Sequence, residues 1–410
     1  MLSLAQITAI LVFTGAVVAS PVEIDKRSAF TVEQVPGSTY HKNGPEQIIK
    51  ALRKYGKKVP AYLIKAAEDT ASNAVISTAA VNGVAPATSE DALDTSYLTP
   101  VNVGGTVLQM QLDTGSPDLW VYSSLQSPTV LRGHDFYTVN PAKILSGATW
   151  DIDYDDGSRA FGKVYIDTVT IGGITATSQA VEAAITVSGN INDDVNIDGL
   201  VGLAFSTGNT VKPKIQKTFF DNIKSQLTKP LFAVQLKYRG AGTFQFGFID
   251  STKYTGPITY APVDSSDGNW IFTASGYSIG SGATTQRPIT TLVDTGTTLV
   301  FLDDSIVKDY YSHVSGSQNS EAAGGYIVPC SATLPNFSIV VAGVKQTIPG
   351  THIKWGENIG GTCFGGIQNR GSLDGPILGD IFLKSKYIIF DESTGSPRVG
   401  FGQQVGIPSS

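Results

Sequence analysis

The chain has 410 residues, more than one hydrophobic core usually serves, so two packed units with processed ends are expected rather than a single domain. Charged residues are 16% and apolar residues 41%, which excludes a chain disordered throughout, and 44 glycines with 20 prolines favour short strands and tight turns over helical bundles. The net charge is −6 and the body of the chain has no Lys/Arg cluster among aromatics, so nucleic acid is excluded as a partner.

Ile7 to Ala19 is mostly apolar, too short to span a bilayer, and followed by small residues, so residues 1–20 read as a signal peptide. No other run reaches the roughly 18 apolar residues of a membrane span. A soluble, secreted product is expected, in preference to a vacuolar one. Residues 21–78 form a separate basic piece, in which nine Lys/Arg against six Asp/Glu give +3 and leave −9 on the remainder. Within it, Glu46 to Lys57 places Ile48, Ile49, Leu52 and Tyr55 on one helical face, ringed by Lys50, Arg53, Lys54, Lys57 and Lys58. A basic helix ahead of an acidic body reads as an inhibitory prosegment whose cations sit in an acidic cleft until the carboxylates protonate. The small, polar stretch from Ala71 to Asp94 reads as linker and cutting region, with the processed chain starting near Ala79 and Lys26-Arg27 as an earlier dibasic site.

Beyond Ser96 the pattern is mainly strands. Leu98 to Val103, Thr106 to Leu112, Val164 to Ile171, Leu231 to Tyr238, Gly242 to Phe248 and Lys386 to Phe390 are bounded by Gly or polar turns. Helical spacing is confined to Lys214 to Leu227 and to Asp303 to Val314, the second opening on Asp303, Asp304 and Ser305 as caps. The chain also repeats itself. Asp113-Thr114-Gly115-Ser116 returns as Asp294-Thr295-Gly296-Thr297, each after an apolar run, and Leu200-Val201-Gly202 returns as Ile377-Leu378-Gly379. Gly202 lies 89 positions after Asp113 and Gly379 lies 85 after Asp294, so two signals travel together and the body reads as a duplicated β lobe.

Equivalent Asp residues in two such lobes can meet across a pseudo-twofold axis, where Gly115 and Gly296 let the backbone turn and approach a substrate. Close like charges cannot both ionise cheaply, so Asp113 and Asp294 form a dyad that shares one proton. One carboxyl can then take a proton from a trapped water while the other polarises a carbonyl, with neither metal nor cofactor. Ser116 and Thr297 supply hydroxyls that hold the ionised form, and Thr114 and Thr295 can tie the two turns together.

These motifs resemble the pepsin-family aspartic proteases, in particular the secreted fungal pepsins. The resemblance covers about Ser96 to Gln403 and rests on Asp113-Thr-Gly-Ser-Pro-Asp-Leu-Trp, Trp150-Asp-Ile-Asp-Tyr-Asp-Asp-Gly-Ser, Asp198-Gly-Leu-Val-Gly-Leu, Asp294-Thr-Gly-Thr-Thr-Leu and Ile377-Leu-Gly-Asp. It implies a mainly β, bilobal fold with a deep cleft between lobes 79–270 and 271–410, binding an extended protein or peptide substrate with bulky apolar residues about the cut. It also implies inhibition by pepstatin-type compounds and a monomer without a membrane partner. By the same resemblance Tyr154 lies on a flap and bonds the indole of Trp120, Asp156 accepts a Lys on the amino side of the cut, and Gly296 and Thr298 line the substrate site. Cys330 and Cys363, the two cysteines of the chain, match the single disulfide of the second lobe. Asn336-Phe337-Ser338 is the one glycosylation sequon.

Two positions depart from the family pattern. Asp155 stands where Gly usually follows the flap Tyr, which either strengthens the preference for basic peptides or makes the optimum more acidic. Pro117 replaces a small residue and stiffens its turn. Two alternatives compete with the protease reading. Gly276-Tyr277-Ser278-Ile279-Gly280 fits a serine-hydrolase elbow with His313 and His352 downstream, although Gly280 to Thr285 opens no helix. The other alternative is a silent family member that uses the cleft for binding, which the two intact Asp residues argue against.

Overall fold

Alternating apolar residues make Thr106–Asp113 a strand whose inward face (Leu108, Met110, Leu112) is fully buried. It runs parallel to Gly199–Gly202, with Asp113 opposite Gly202. Gly199–Gly202 is antiparallel to Leu119–Val121, which in turn runs parallel to Ile174–Val187. The second half repeats this wiring. Ile289–Val293 runs parallel to Ile377–Leu378, which is antiparallel to Val300–Leu302, and that strand runs parallel to Ile367–Asn369. The duplication expected from the two motif pairs is thus a duplication of strand order, and the protein has a mainly β, bilobal fold. The computed structural model describes residues 29–36, 43–79, 97–153, 159–187, 196–238, 240–357 and 361–408.

A six-stranded sheet joins the halves. Its order is Phe30–Glu33, Gly240–Phe246, Leu231–Lys237, Lys386–Asp391, Arg398–Gln404 and Tyr254–Pro262. Strands from the middle and the end of the chain therefore pair directly, and a strand from the basic N-terminal piece caps one edge. Phe30 seals that edge by stacking on Phe246 at 4.8 Å between centroids. Beneath the sheet Phe232 stacks on Phe390, and both meet the edge of Trp270, whose indole donates to the Leu203 carbonyl at 2.9 Å. This aromatic layer lies where the two lobes meet.

The expected strands form, with ends displaced by a few residues. Three helical expectations need revision. The helix expected over Lys214 to Leu227 shrinks to Phe219–Ile223 followed by a 3-10 turn, Lys224–Gln226. The Asn209 side chain takes the Gln216 amide at 2.7 Å, and Thr218 caps the helix by accepting from Asp221 N, so no turn can start earlier. In Asp304–Ser312 the Asp303 side chain does not cap; its carboxylate accepts from Arg370 Nε at 2.6 Å instead. The stretch expected to be linker from Ala71 is helical through Ala79, because the Ala-rich run Ala61–Ala79 favours helix. The remainder of that stretch, like residues 1–20 and Lys26-Arg27, lies outside the described residues.

Cys330 and Cys363 are bonded, with Cα atoms 4.9 Å apart, and tie the 33-residue segment that carries Phe337–Val341 and Val344–Ile348. Among the described residues no helix is long and apolar enough to cross a membrane. Replacing both cysteines with serine is expected to destabilise the C-terminal half by about 3–4 kcal/mol from loop-closure entropy, measured by guanidinium unfolding with and without reductant.

Candidate active site

Each Asp-Thr-Gly turn leaves its inner strand at the junction of the lobes. The two turns are locked together by reciprocal hydrogen bonds. Thr114 N donates to Thr295 Oγ1 and Thr295 N donates to Thr114 Oγ1, both at 3.0 Å. The same hydroxyls then donate across the axis, Thr114 to the Val293 carbonyl at 2.9 Å and Thr295 to the Leu112 carbonyl at 2.7 Å. Six buried polar groups thereby satisfy one another through four hydrogen bonds.

This lock fixes Asp113 and Asp294, both fully buried, face to face. A Cβ added at Gly115 would lie 2.4 Å from Asp294 Oδ1, and one at Gly296 would lie 2.3 Å from Asp113 Oδ1. Each glycine is therefore needed by the carboxyl of the other lobe. The hydroxyls expected beside the carboxyls are in place: Ser116 Oγ donates to Asp113 Oδ2 at 2.5 Å and Thr297 Oγ1 to Asp294 Oδ2. The amides of Gly115 and Gly296 donate to the Oδ1 atoms at 2.9 and 2.8 Å.

The basic piece reaches this point. Its helix Gly44–Lys54 starts on Asn43, whose side chain accepts from Glu46 N, and buries Gln47, Ile48, Ile49, Ala51 and Leu52. Lys54 Nζ at its end donates to Asp113 Oδ1 at 2.7 Å and to Asp294 Oδ1 and Oδ2 at 2.7 and 2.8 Å. Tyr55 OH donates to Asp294 Oδ2 at 2.5 Å. Thr298 Oγ1 donates to Gln47 Oε1 at 2.8 Å, and Lys57 Nζ pairs with Asp374 at 2.6 Å on the exposed rim. Of the five cations expected around this helix, Lys54 thus pairs with both carboxyls and Lys57 with a surface one. Tyr55, read from its spacing as part of the apolar face, packs against the core and also brings a polar tip to the dyad.

The electrostatics are asymmetric. Burial works to raise the pKa of Asp294, but the Lys54 ammonium and the donors around it prevail and bring it down to about 2. Asp113, with burial dominant and the Asp294 charge beside it, is pushed above the ordinary range despite Lys54. Burial would strip Lys54 of its proton, but the two carboxyls reverse that and hold it charged. One ammonium therefore balances one ionised carboxylate, and the other carboxyl keeps its proton.

The remaining expected residues are scattered or lie elsewhere. Trp120 is buried, with its ring 6.2 Å from Trp150. Tyr154, Asp155 and Asp156 lie outside the described residues. Asn336 is half-buried and its Oδ1 accepts the Gly350 amide at 3.0 Å. Ser278 is buried within Gly276–Ile279, a strand paired antiparallel to Phe337–Val341, so the serine-hydrolase elbow is absent there. His352 is stacked on Tyr238, and His313 ends the helix Asp304–Ser312. Sequence reading had not singled out the Lys54-Tyr55 pair; the available signal was a Lys-Tyr-Gly ending on the one amphipathic basic helix.

A model of the family described as "Eukaryotic aspartyl protease" matches residues 96–404. Among curated relatives, the chain is 55% identical over 410 residues to "Aspartic protease pepA" of Leptosphaeria maculans, covering 99% of this chain and 100% of that protein. It is 47% identical to "Aspergillopepsin-1" of Aspergillus fumigatus, covering 98% of this chain and all of that one. To "Penicillopepsin-3" of Penicillium janthinellum it is 48% identical, with 92% and 93% covered.

The lock between the turns yields a test. Thr114→Val strands the Thr295 amide and the Val293 carbonyl, each expected to cost about 1–3 kcal/mol, whereas Thr114→Ser retains both bonds and most of the stability. Chemical unfolding of the two variants measures the difference.

Proposed function

This chain belongs to the eukaryotic aspartyl protease family, and on that footing we propose that it is made as a zymogen, exported, and processed to an acid endopeptidase acting through Asp113 and Asp294. It is an aspartic endopeptidase. The single observation that supports the fuller reading is the Lys54 ammonium seated between the two buried carboxyls.

In the processed enzyme a water takes the place of that ammonium. The ionised carboxyl of the dyad accepts a proton from the water as its oxygen bonds to the scissile carbonyl carbon, and the protonated carboxyl gives its proton to the carbonyl oxygen. The resulting gem-diol collapses as a proton passes to the amide nitrogen and the C–N bond breaks. Ser116 and Thr297 hold the carboxyl oxygens in place, Gly115 and Gly296 leave room for the peptide, and Thr298 offers it the bond now made to Gln47. Bulky apolar residues are the proposed preference about the cut, with Lys accepted on its amino side through Asp156. Tyr154, Asp155 and Trp120 complete the substrate site in this reading. The Ile7 to Ala19 run supports export, and a glycan on Asn336, sensitivity to pepstatin and a monomeric state belong to the same reading.

Residues 21–78 act as the inhibitory prosegment in this proposal, supported by the strand Phe30–Glu33 and the helix Gly44–Lys54 that they contribute. The sign of its pH response follows from Asp294. Lys54 holds Asp294 down while it is bound, so the pair takes up protons more readily once the ammonium has left, and the released state binds more protons. Inhibition is therefore strongest toward neutral pH and weakens as pH falls into the acid range where the carboxyls take up protons.

Three outcomes are expected. Acidified protein should hydrolyse denatured haemoglobin at about pH 3 in a pepstatin-sensitive reaction, and Asp113→Asn or Asp294→Asn should each lower kcat by at least about 10²-fold. Lys54→Met precursor should cleave a fluorogenic peptide at about pH 5.5, where the parent precursor is inert, because the cation that blocks the dyad is gone. Mass spectrometry after acidification should find the processed start between Ser77 and Ala92.

A further inference from the structure

Five residues beyond Asp113, the chain buries a second pair of carboxyls that the proposed reaction does not use. Asp118 is 3% exposed and Glu182 1% exposed, and they share one bridging amide, Asn209. Asn209 Nδ2 donates to Asp118 Oδ1 at 2.6 Å and to Glu182 Oε1 at 2.9 Å. Its Oδ1 accepts the amides of Val211 and Gln216 at 3.2 and 2.7 Å, so every hydrogen-bonding group of this side chain is engaged. Asp118 Oδ1 also accepts from Thr210 N at 2.9 Å. Glu182 Oε2 is buried and meets no donor. An ionised carboxylate with a dry oxygen and no donor is a costly arrangement, whereas a protonated one supplies its own donor to the carboxyl beside it.

The surroundings offer no other neutralising charge. Among the described residues no lysine or arginine bonds either carboxyl. Lys212, Lys214 and Lys217, on the segment that carries Asn209, are exposed. Opposite Glu182 stands the buried Val164, and its neighbour Lys163 is exposed on the other face. Asp198, just before Gly199–Gly202, spends its carboxylate on the amides of Gln109 and Asp135. Asp113, where it ionises, adds repulsion and raises Asp118 further.

The cluster is tied mechanically to the dyad turn. The Asp118 carbonyl accepts from Gly202 N at 2.9 Å, the Ser116 carbonyl from Ala204 N at 3.1 Å, and the Asp113 carbonyl from Leu203 N at 2.7 Å. A Cβ at Gly202 would meet the Pro117 carbonyl carbon at 2.4 Å, so turn and strand are in close contact and Asp118 cannot shift without moving Ser116, the donor to Asp113. We propose that Asp118 and Glu182 are positioning residues that share one proton, and that losing this proton releases the Asn209 bridge and unseats the Asp113 turn, setting the alkaline limit of the enzyme. The inference rests on the reading of Asp113 as half of the dyad for its effect on catalysis, but not for its effect on stability.

The direction of the titration agrees. Burial raises Asp118 to about 6 and Glu182 well above the carboxylate range. For carboxyls raised on folding, the stabilising effect is full below the unfolded values near 4 and is lost as pH rises from there through the folded ones, Asp118's share by about pH 6 and Glu182's at higher pH.

The test uses the full-length chain, incubates it between pH 4 and 9, and follows tryptophan fluorescence there and the peptidase activity recovered on acidification to about pH 3. Glu182→Gln keeps the shape and fixes a donor toward Asp118, and Asp118→Asn keeps the acceptor for Asn209 and Thr210 while removing the charge. Each is expected to move the alkaline unfolding midpoint upward by about one pH unit or more, with loss of activity following the same curve. Midpoints unchanged from the parent, or failure of both variants to fold at pH 4 where the neutral forms prevail, would overturn the proposal. An error in the dyad reading would instead appear as hydrolysis surviving Asp113→Asn while the shifted midpoints stand.

Discussion

Two carboxyls of like charge, both out of water and both within reach of one ammonium, are the constraint on which this molecule is organised. Neither can be ionised freely in that position without a partner, because burial penalises the charge and the neighbouring carboxylate adds to the penalty. The structure meets this with fixed donors from the turns and with a reciprocal threonine lock that allows neither lobe to drift. Close approach comes from the glycines, each of which clears the space for the carboxyl of the opposite lobe.

The basic N-terminal piece is built to answer the same constraint from outside. Its first strand extends the sheet that joins the lobes, and its first helix delivers an ammonium and a phenol to the dyad. An isolated surface ion pair contributes little, but a cation confined between two desolvated acids is a strong and pH-dependent contact. In the proposed zymogen, apolar burial of Ile48, Ile49 and Leu52 supplies the affinity and Lys54 supplies the acid response. Affinity and trigger are thus carried by different residues of one helix.

A second buried acid pair behind the Asp113 turn extends the theme. Lys54 supplies an external counter-ion to the dyad, whereas Asp118 and Glu182 have the amide of Asn209, the Thr210 backbone amide and, in our proposal, a shared proton. A chain tuned to acid can use protonated carboxyls as structural donors, which a protein confined to neutral solution could do only at considerable cost. One member of each pair, Asp113 and Asp118, lies on the same turn, so the chemistry of one cluster is sensitive to the ionisation of the other.

Much of this was legible in the amino-acid order. Strand period, turn glycines and the recurrence of Asp-Thr-Gly with a following apolar-Gly signal determine a duplicated β architecture, because side-chain alternation and glycine conformation are local properties. The hydroxyls at Ser116 and Thr297 and the threonine tie were legible for the same reason: they sit at fixed offsets from the Asp. Helix lengths were less so, since Asn209, outside the periodic stretch and held by Asp118 and Glu182, takes the Gln216 amide that an earlier helix would need. Which of five neighbouring cations meets the dyad, and that Tyr55 turns a polar tip toward it, depended on how one helix docks against two lobes. The pairing of Asp118 with Glu182, 64 positions apart, had no local signature at all. Contacts between distant segments are set by packing of the whole sheet, and only the folded chain decides them.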